Sequence, residues 1–538
     1  MLKSQRRRIL TLAHGDVVAR ETVRRCSSAP RCAPERSRCL TAIVPPGQRY
    51  GYDLMVWVAL RRYHERRQRR EIKAELLREH GLSLSTGTLS ALCDRFVRRL
   101  AALHRLRSPE LRAAMPHGYP LHLDGTYQGG ESWLFVTFDA WRGWVLAAGA
   151  LDHERSEAIR PILEQTRELF GDPLAVVRDH SRAIQNAVEP LRDQGIPDFV
   201  CHYHVLSNLG TKLLKQDRAH LRRILRRYSP RARLTDLLRQ LQAPGPSRSQ
   251  REELALLVLW LLRGEGKATA DFPFTLSELD LLERLAAAPE RLELWVSPRG
   301  RLAAAPELRA LEALLAELEA EADLPRLRQQ LTDRRRLFQE VRDVLRLADP
   351  SQPPAAHLPE IELLLRGEIQ EAFDHYFRAL QPRIRSARGS LQKALRTVRK
   401  HLQPLRPFLF GHPEVHDGQG QLLYVVERTN NALEHFFSSH HQGLRRRTGR
   451  KHLGRDLDQL PAHATLVHNL HDPLYVEILC GSLDQLPSAL ASLPPEALDS
   501  APLRPRPHRS LQRRLRTLCR ADSPPPCSAP LALGATKS

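Results

Sequence analysis

The sequence predicts an α/β protein: a mixed β-sheet with helices on its faces, an all-α region before it and a large helical insertion within it. Two periodicities, and their order along the chain, predict this class. Between residues 119 and 201, short runs are apolar or alternate with a period of two, as strands do. Between 222 and 421, apolar residues recur at helical spacing and strand patterns are almost absent. Helical spacing also dominates 53–100.

Three antiparallel strands followed by helix–strand crossovers are predicted for the sheet region. The run 140–143 is typical of a hairpin turn, and Gly171-Asp172-Pro173 ends a helix. This order predicts a mixed sheet covered by helices. The predicted elements are strands over 121–127, 133–139 and 144–151, a helix over 156–170, a strand over 174–177, a helix over 181–194, a strand over 198–201, and a helix through Leu206, Leu209 and Leu213.

Before the sheet, the pattern is that of two helices joined by a tight turn at 81–84. Either Ser85 or Thr86 can cap the second helix, whose first turns carry small polar residues such as Thr88. This outline is that of a helix-turn-helix, and the basic surroundings favour a DNA-binding role for Ser85, Thr86 and Thr88. An ordinary helical hairpin is the alternative.

The chain is strongly basic. Its 538 residues include 83 Lys and Arg against 61 Asp and Glu, a formal net charge of +22. This charge predicts a polyanionic partner, without choosing among DNA, RNA and an anionic membrane surface. The longest apolar run, 254–262, is too short to span a bilayer, and no signal peptide is apparent, so we expect a soluble, cytoplasmic protein. The spacings of Cys26, Cys32 and Cys39 favour a reduced, loose arm over a zinc site.

Three acidic residues stand where a metal-dependent site could form. Asp124 and Asp179 each lie where an apolar strand ends, and Glu434 lies near the start of an amphipathic helix. Carboxylate oxygens are the ligands that Mg²⁺ or Mn²⁺ prefers. If the fold brings the three together in so basic a chain, a phosphodiester is the expected substrate.

These segments resemble the DDE transposases with an RNase H-like catalytic core, especially the Mutator-like group and its bacterial insertion-sequence relatives. In that fold the first and fourth strands are neighbours and bear the first two acids, which Asp124 and Asp179 match. The third acid lies on a helix after the sheet, often behind a helical insertion, and Glu434 matches it. The family's Cys-x-x-His motif is matched by Cys201 and His204. The resemblance covers 119–215 and 422–453 best.

The resemblance implies a DNA transposase of an insertion sequence that cleaves and transfers strands at the element's ends. It implies a two-metal mechanism with Mg²⁺ or Mn²⁺, in which Asp124 bridges the ions while Asp179 and Glu434 each hold one. Its implied partners are double-stranded DNA, as terminal repeats and target, and further copies of the chain in a homodimer or higher oligomer. No membrane partner is expected, and the protein is expected in the bacterial cytoplasm with the nucleoid.

Each acid also has a structural interpretation. Asp179 could be a turn former, and Asn431-x-x-Glu434 is nearly a capping box. Glu427 competes with Glu434 for the catalytic role but precedes the predicted helix cap. The other acids of the sheet region, Asp139 and Asp152, are interpreted as turn residues.

Cys201 and His204 are two ligands at most, which is half a zinc site. We therefore expect them to brace the active site or contact DNA, with a merely buried cysteine as the alternative. A dense basic run follows the Glu434 helix. Solvated charge is the usual explanation of such runs, and beside a phosphodiester site we expect this one to bind the DNA backbone. The residues concerned are Arg445, Arg446, Arg447, Arg450 and Lys451.

Two other functions remain open: a non-catalytic DNA-binding protein derived from a transposase, and an RNase H-like nuclease without strand transfer. The predicted organisation is a basic, partly disordered arm (1–50), a helix-turn-helix region (51–115), the first part of an RNase H-like core (116–215), a helical insertion (216–421), the second part of the core with a short strand at 424–426, Glu434 and the basic run (422–487), and a disordered basic tail (488–538).

Overall fold

The structure is a computed structural model that describes residues 2–24, 36–244, 247–263, 272–347 and 359–498. The chain forms two compact units. The first comprises Met1–Pro116, Asp124–Gly171 and Glu434–Ser538, and the second comprises His117–Leu123 and Asp172–Leu433.

The regular elements alternate between strands and helices only in the middle of the chain. The strands are β1 (Leu2–Thr11), β2 (Gly15–Arg24), β3 (Pro120–Thr126), β4 (Trp133–Asp139), β5 (Trp144–Leu151), β6 (Ala175–Arg178), β7 (Asp198–Val200), β8 (Glu414–His416) and β9 (Leu422–Val425). The helices up to the insertion are α1 (Arg38–Ile43), α2 (Tyr52–Ala59), α3 (Arg69–His80), α4 (Thr86–Leu106), α5 (Ser108–Ala113), α6 (Ser156–Phe170), α7 (Arg182–Asp193) and α8 (His202–Tyr228).

The remaining α-helices are α9 (Pro230–Gln242), α10 (Arg248–Leu261), α11 (Ser277–Trp295), α12 (Pro298–Ala303), α13 (Ala305–Glu319), α14 (Leu324–Val344), α15 (Pro359–Ser386), α16 (Gly389–Leu402), α17 (Asn431–Thr448), α18 (Gly454–Asp458), α19 (Pro473–Cys480) and α20 (Leu486–Ala491). A π-helical turn follows α2 at Leu60–His64, and 3-10 turns lie at Arg406–Phe408, Ala462–His471, Leu483–Gln485 and Pro495–Ala497.

The central sheet is five-stranded and mixed, in the order β5-β4-β3-β6-β7. β4 and β5 pair antiparallel, whereas β3 pairs parallel with β6 and β6 with β7. The predicted mixed α/β class is confirmed, and the predicted strands and helices between 121 and 201 match the observed ones to within one or two residues at most ends. The first and fourth strands of this region, β3 and β6, are neighbours, as the resemblance implies.

In the first unit, the predicted helix pair is present as α3 and α4. α3 ends at Gly81, whose φ of 65° is the left-handed conformation that glycine adopts without strain. α4 is capped by Ser85, whose side chain accepts a hydrogen bond from the Thr88 N–H at 3.1 Å. Its apolar stripe, with Leu89 and Phe96, is buried. Whether this pair binds DNA stays a prediction.

The predicted basic, partly disordered arm is ordered as a hairpin over its first residues. β1 and β2 form an antiparallel hairpin over 2–24, with Ile9, Leu10 and Val23 buried. The Glu21 carboxylate is also buried and pairs with Arg36 at 3.0 Å. Three consecutive arginines, 6–8, precede the buried Ile9 and Leu10 and hide the strand pattern in the sequence. Cys26 and Cys32 lie outside the described residues, and Cys39 is an exposed free thiol.

In the second unit, α9 to α16 form the predicted helical insertion around a leucine-rich core. A buried ion pair crosses it, with Arg218 donating to both carboxylate oxygens of Glu278 at 2.9 and 3.0 Å. The predicted strand at 424–426 corresponds to β9, which pairs with β8.

The predicted disordered tail begins too early. α20 and the turn after it continue the fold to residue 498, and Leu490 and Leu493 are buried. The rest of the predicted tail lies outside the described residues. Among the helices of the described chain, none combines the length and apolar character needed to cross a membrane.

Candidate functional site

Two of the predicted acids meet in the first unit. Asp124 lies near the end of β3 and is 7% exposed, and Glu434 lies in the first turn of α17. Each offers a carboxylate oxygen, and the two oxygens lie within 4.8 Å of each other. Two oxygen ligands of a single Mg²⁺ ion are about 3–4 Å apart, so this pair needs only a small side-chain adjustment to share a cation. The residues fit a divalent metal.

The helix that carries Glu434 is attached to the same strand two turns later. His441 lies seven residues after Glu434 on α17, and its Nε2 is 3.2 Å from the Thr126 Oγ1 of β3. Burial lowers the pKa of His441, while the Glu434 carboxylate acts in the opposite direction. Phe436 packs near Phe138 of β4, with ring centroids 5.8 Å apart. These contacts orient the first turn of α17 relative to β3 within this unit.

Asp179 directly follows β6 in the second unit. The register pairs Leu123 with Arg178, so the residue after each partner is an aspartate, Asp124 or Asp179. Asp179 Oδ1 accepts a hydrogen bond from the Ser181 N–H at 2.8 Å. The predicted turn-forming role is therefore present, and a metal-binding role stays a prediction. Burial raises the pKa of Asp179, while the Ser181 N–H and then His204, on α8, lower it.

The end of β6 is fixed by a buried ion pair. Arg178 donates to both carboxylate oxygens of Asp198 on β7, at 2.7 and 2.9 Å, and both side chains are about 1% exposed. Arg178 also donates to the Asp179 carbonyl at 3.1 Å. A planar guanidinium held by two-point contact has little freedom, so the backbone at Asp179 is held in one position.

Cys201, which we expected to brace the site or contact DNA, is buried and makes a hydrogen bond within the protein. Its buried Sγ accepts a hydrogen bond from the Asn430 N–H at 3.2 Å, just before α17 begins. Asn430 is itself fully buried, and its side-chain amide donates to the Leu123 carbonyl at 3.1 Å. One asparagine therefore ties the residue before Asp124 to the segment that leads into the Glu434 helix.

The sequence interpretation missed Asn430. Its signal was present, because asparagine directly before a helix start is a common capping residue. The capping-box interpretation of Glu434 had drawn attention to Asn431 instead. α17 begins at Asn431, so Glu434 is the fourth helical residue, one position beyond the one from which a glutamate completes the box. Glu427 precedes the helix, as expected.

Of the two acids interpreted as turn residues, Asp139 is confirmed in that role. Its Oδ1 accepts from the Trp141 N–H at 3.0 Å, and its Oδ2 pairs with Arg142 at 2.9 Å. Burial raises the pKa of Asp139 to about 6, with Arg142 opposing the rise. Asp152 lies in a bend after β5 and is exposed.

The predicted DNA-binding residues of α4 are at the surface. Ser85 and Thr86 are exposed, and the Thr88 side chain is within 2.9 Å of the Ser85 hydroxyl. In the basic run, Arg445 and Lys451 are exposed, so both are free to meet a polyanion.

The other three arginines of the basic run have protein partners. Arg446 pairs with Glu71 of α3, and Arg450 pairs with Asp456, each at 3.0 Å. Arg447 is only 8% exposed, and its guanidinium lies over the Tyr63 ring, 5.0 Å from the centroid, so it is not one of the exposed cations of the run. Residues 445–447 lie on α17, so one of the three arginines points to the buried face of that helix. Whether Arg447 contacts DNA stays a prediction.

The described residues therefore bring Asp124 and Glu434 together, leave Asp179 half-buried, and give Cys201 a hydrogen bond to the segment before α17. Comparison with known proteins adds no assignment. A scan against protein-family models gave no match to this chain, and a search of curated proteins found no relative.

Proposed function

We propose that the chain is the DNA transposase of an insertion sequence, with an RNase H-like core that cleaves and transfers DNA strands. The observation that carries the proposal is the pair of carboxylates, Asp124 and Glu434, whose oxygens lie within 4.8 Å although their positions are remote in sequence. The strand order β5-β4-β3-β6-β7 supports the RNase H-like assignment, since it sets the strand of Asp124 beside the strand that Asp179 follows.

In this proposal Asp124, Asp179 and Glu434 would hold two divalent ions, Mg²⁺ or Mn²⁺. Ions held there would supply activation of the attacking oxygen and stabilisation of the leaving oxygen of a phosphodiester. The protein's own part is to hold its carboxylates in place, through Asn430 and the Arg178–Asp198 pair. Water attacks phosphorus in line and displaces the 3′-oxygen, which leaves as a 3′-hydroxyl. That hydroxyl then attacks a phosphodiester of the target DNA in line, and the bond from phosphorus to the target strand's own 3′-oxygen breaks as the new one forms.

A basic groove in the second unit supports a DNA partner. It lies between α15 and α16, has a volume of about 940 Å³, and no carboxylate lines it. Its four cationic residues form no ion pair with a described residue: Arg385, Arg396, Arg399 and Lys400. Many other insertion arginines are neutralised, such as Arg383 by Glu340 at 2.8 Å. Cations that are left without carboxylates along an open groove are suited to bind the phosphates of a nucleic-acid backbone.

A side-chain contact links the helix of this groove to the segment of Asp179 within the same unit. Lys400 lines the groove, and the next residue, His401, is 2.8 Å from the Lys212 Nζ through its Nδ1. The His401 ring packs edge-on against that of His180, with centroids 5.6 Å apart. His180 directly follows Asp179. The groove helix α16 therefore packs against the segment that carries this acid.

The test is a cleavage and strand-transfer assay with Mg²⁺, on DNA that carries the inverted repeats flanking the gene. We expect the wild type to cut and join, and Asp124→Asn, Asp179→Asn and Glu434→Gln each to lose at least about 100-fold in rate. Asp152→Asn, an exposed acid of the same sheet region, is the matched control and should keep full activity.

The three candidate functions give different results in this assay. Cleavage without strand transfer would identify a nuclease, and DNA binding without cleavage would identify a non-catalytic DNA-binding protein. Full activity in any one of the three acid variants would remove that residue from the site.

A further inference from the structure

A cavity of about 260 Å³ in the first unit has more cationic than anionic side chains in its lining. It is enclosed by residues of the π-helical turn after α2, of α3, α4 and α17, and of the segment around α18. Five guanidinium groups line it, against two carboxylates: Arg62, Arg69, Arg70, Arg447 and Arg450, with Asp94 and Asp456. The walls are therefore predominantly cationic.

Two of these arginines are buried without a counter-ion. Arg62 and Arg447 are each 8% exposed. Arg62 donates to the carbonyls of Arg67 and Arg447, at 2.9 and 3.1 Å, and Arg447 donates to the Gly443 carbonyl at 3.3 Å. Neither forms an ion pair with any carboxylate in the described part of the chain. The Asp456 carboxylate pairs with Arg450 instead.

Such an arrangement is unfavourable as it stands, because a buried charge is stable only when it is paired and hydrogen-bonded. Burial, and after it the neighbouring Arg62, lower the pKa of Arg447 to about 10. Burial and Arg69 likewise lower the pKa of Arg62, while Cys93, Tyr63 and Asp456 act in the opposite direction. Carbonyl oxygens and the Tyr63 ring compensate these charges only in part. An anion in the cavity would supply the missing charge.

We propose that this cavity binds one phosphate group. Arg62 and Arg447 offer planar donors that match phosphate oxygens, and the exposed Arg69 and Arg70 stand at the entrance. Ser90 also lines the cavity and lies on α4, about one turn after the exposed cap at Ser85. The phosphate can come from a DNA backbone or from free phosphate. Only the assignment to DNA rests on the proposed function.

The test is titration of the full-length protein with inorganic phosphate, followed by calorimetry and by thermal unfolding. We expect phosphate to bind and to raise the unfolding temperature. The double variant Arg69→Gln/Arg70→Gln and the charge-conserving Arg447→Lys should each weaken phosphate binding by about 10-fold, because a fork of donors is lost. Arg78→Gln, which changes an exposed arginine of α3 outside the cavity, should bind phosphate like the wild type.

A second arm distinguishes the two sources. If a short duplex displaces inorganic phosphate, the cavity holds a backbone phosphate; if both bind together, it holds free phosphate. Phosphate binding in a protein that neither binds nor cuts DNA would leave the cavity assigned and reject the proposed function. Absence of phosphate binding, or equal binding by the wild type and both cavity variants, would overturn the inference.

Discussion

Replacing Asn430 by alanine tests how the candidate site is held together. The Asn430 side chain is fully buried, and its amide donates to the Leu123 carbonyl at 3.1 Å. Alanine removes that donor and leaves a carbonyl without it, which costs about 1–3 kcal/mol. The unfolding temperature should fall by on the order of 2–6 °C. The hydrogen bond from the Asn430 N–H to Cys201 Sγ does not involve the side chain and should survive.

The same variant should lose DNA cleavage beyond what its lower stability explains. Leu123 precedes Asp124, and Asn430 precedes Glu434 by one helical turn, so a loosened contact lets the two carboxylates drift. Displacements of about 1 Å in such a site reduce rates by on the order of 100-fold. The assay is Mg²⁺-dependent cleavage at a temperature where Asn430→Ala is folded, beside thermal unfolding by circular dichroism.

Asn431→Ala is the matched control, since Asn431 is the exposed neighbour at the first position of α17. It should unfold and cleave like the wild type. Equal unfolding temperatures for the two variants would show that the buried amide contributes nothing to stability. Unchanged cleavage by a destabilised Asn430→Ala would show that Asn430 has no positioning role.

Three further predictions concern other parts of the chain. Replacing Arg396 and Lys400 by glutamine should lower duplex affinity about 10-fold at low salt and reduce the slope of log K against log salt by about 2, as fluorescence anisotropy would measure. Asp198→Asn should lower the free energy of unfolding by about 3–5 kcal/mol, because Arg178 stays buried without its partner. Burial lowers the pKa of His104 to about 4, so its contribution to stability is present above pH 6.5 and lost as pH falls toward 4. Between pH 7.5 and 5.5 the wild type should lose about 1 kcal/mol relative to His104→Gln in urea unfolding.

Each of these has a result that would contradict it. An unchanged salt slope would show that the groove cations do not meet phosphates. For the buried ion pair, Asp193→Asn is the control on exposed α7 surface, and equal stability of the two variants would refute the assigned role. Parallel pH profiles for the wild type and His104→Gln would show that His104 titrates alike in both states.

The sheet could be predicted from the sequence because its signals are local. Strand runs such as 133–139 and 144–151 are bounded by turn residues, and the observed strands have these bounds. The helix pair α3 and α4 could also be predicted, because Gly81 marks the end of the first helix and Ser85 caps the second. The local sequence pattern also identified Asp124 and Glu434 as candidate metal ligands.

The features that could not be predicted from the sequence depend on contacts between distant segments. The β1–β2 hairpin was hidden because its first strand carries the consecutive arginines 6–8, which read as a basic arm. Arg447 reads as one more surface cation in a basic run, and only the packing of α17 against Tyr63 makes it buried. The role of Asn430 likewise depends on its approach to Leu123, which no spacing in the sequence encodes.

Direct measurement of Mn²⁺ binding tests the central claim, that Asp124 and Glu434 converge on a divalent cation. Electron paramagnetic resonance reports free Mn²⁺ during titration of the full-length protein, without DNA and without turnover. The wild type and Asp152→Asn should bind Mn²⁺ alike, and Asp124→Asn and Glu434→Gln should each lose the tightest site. Identical titration curves for all four proteins would contradict the account.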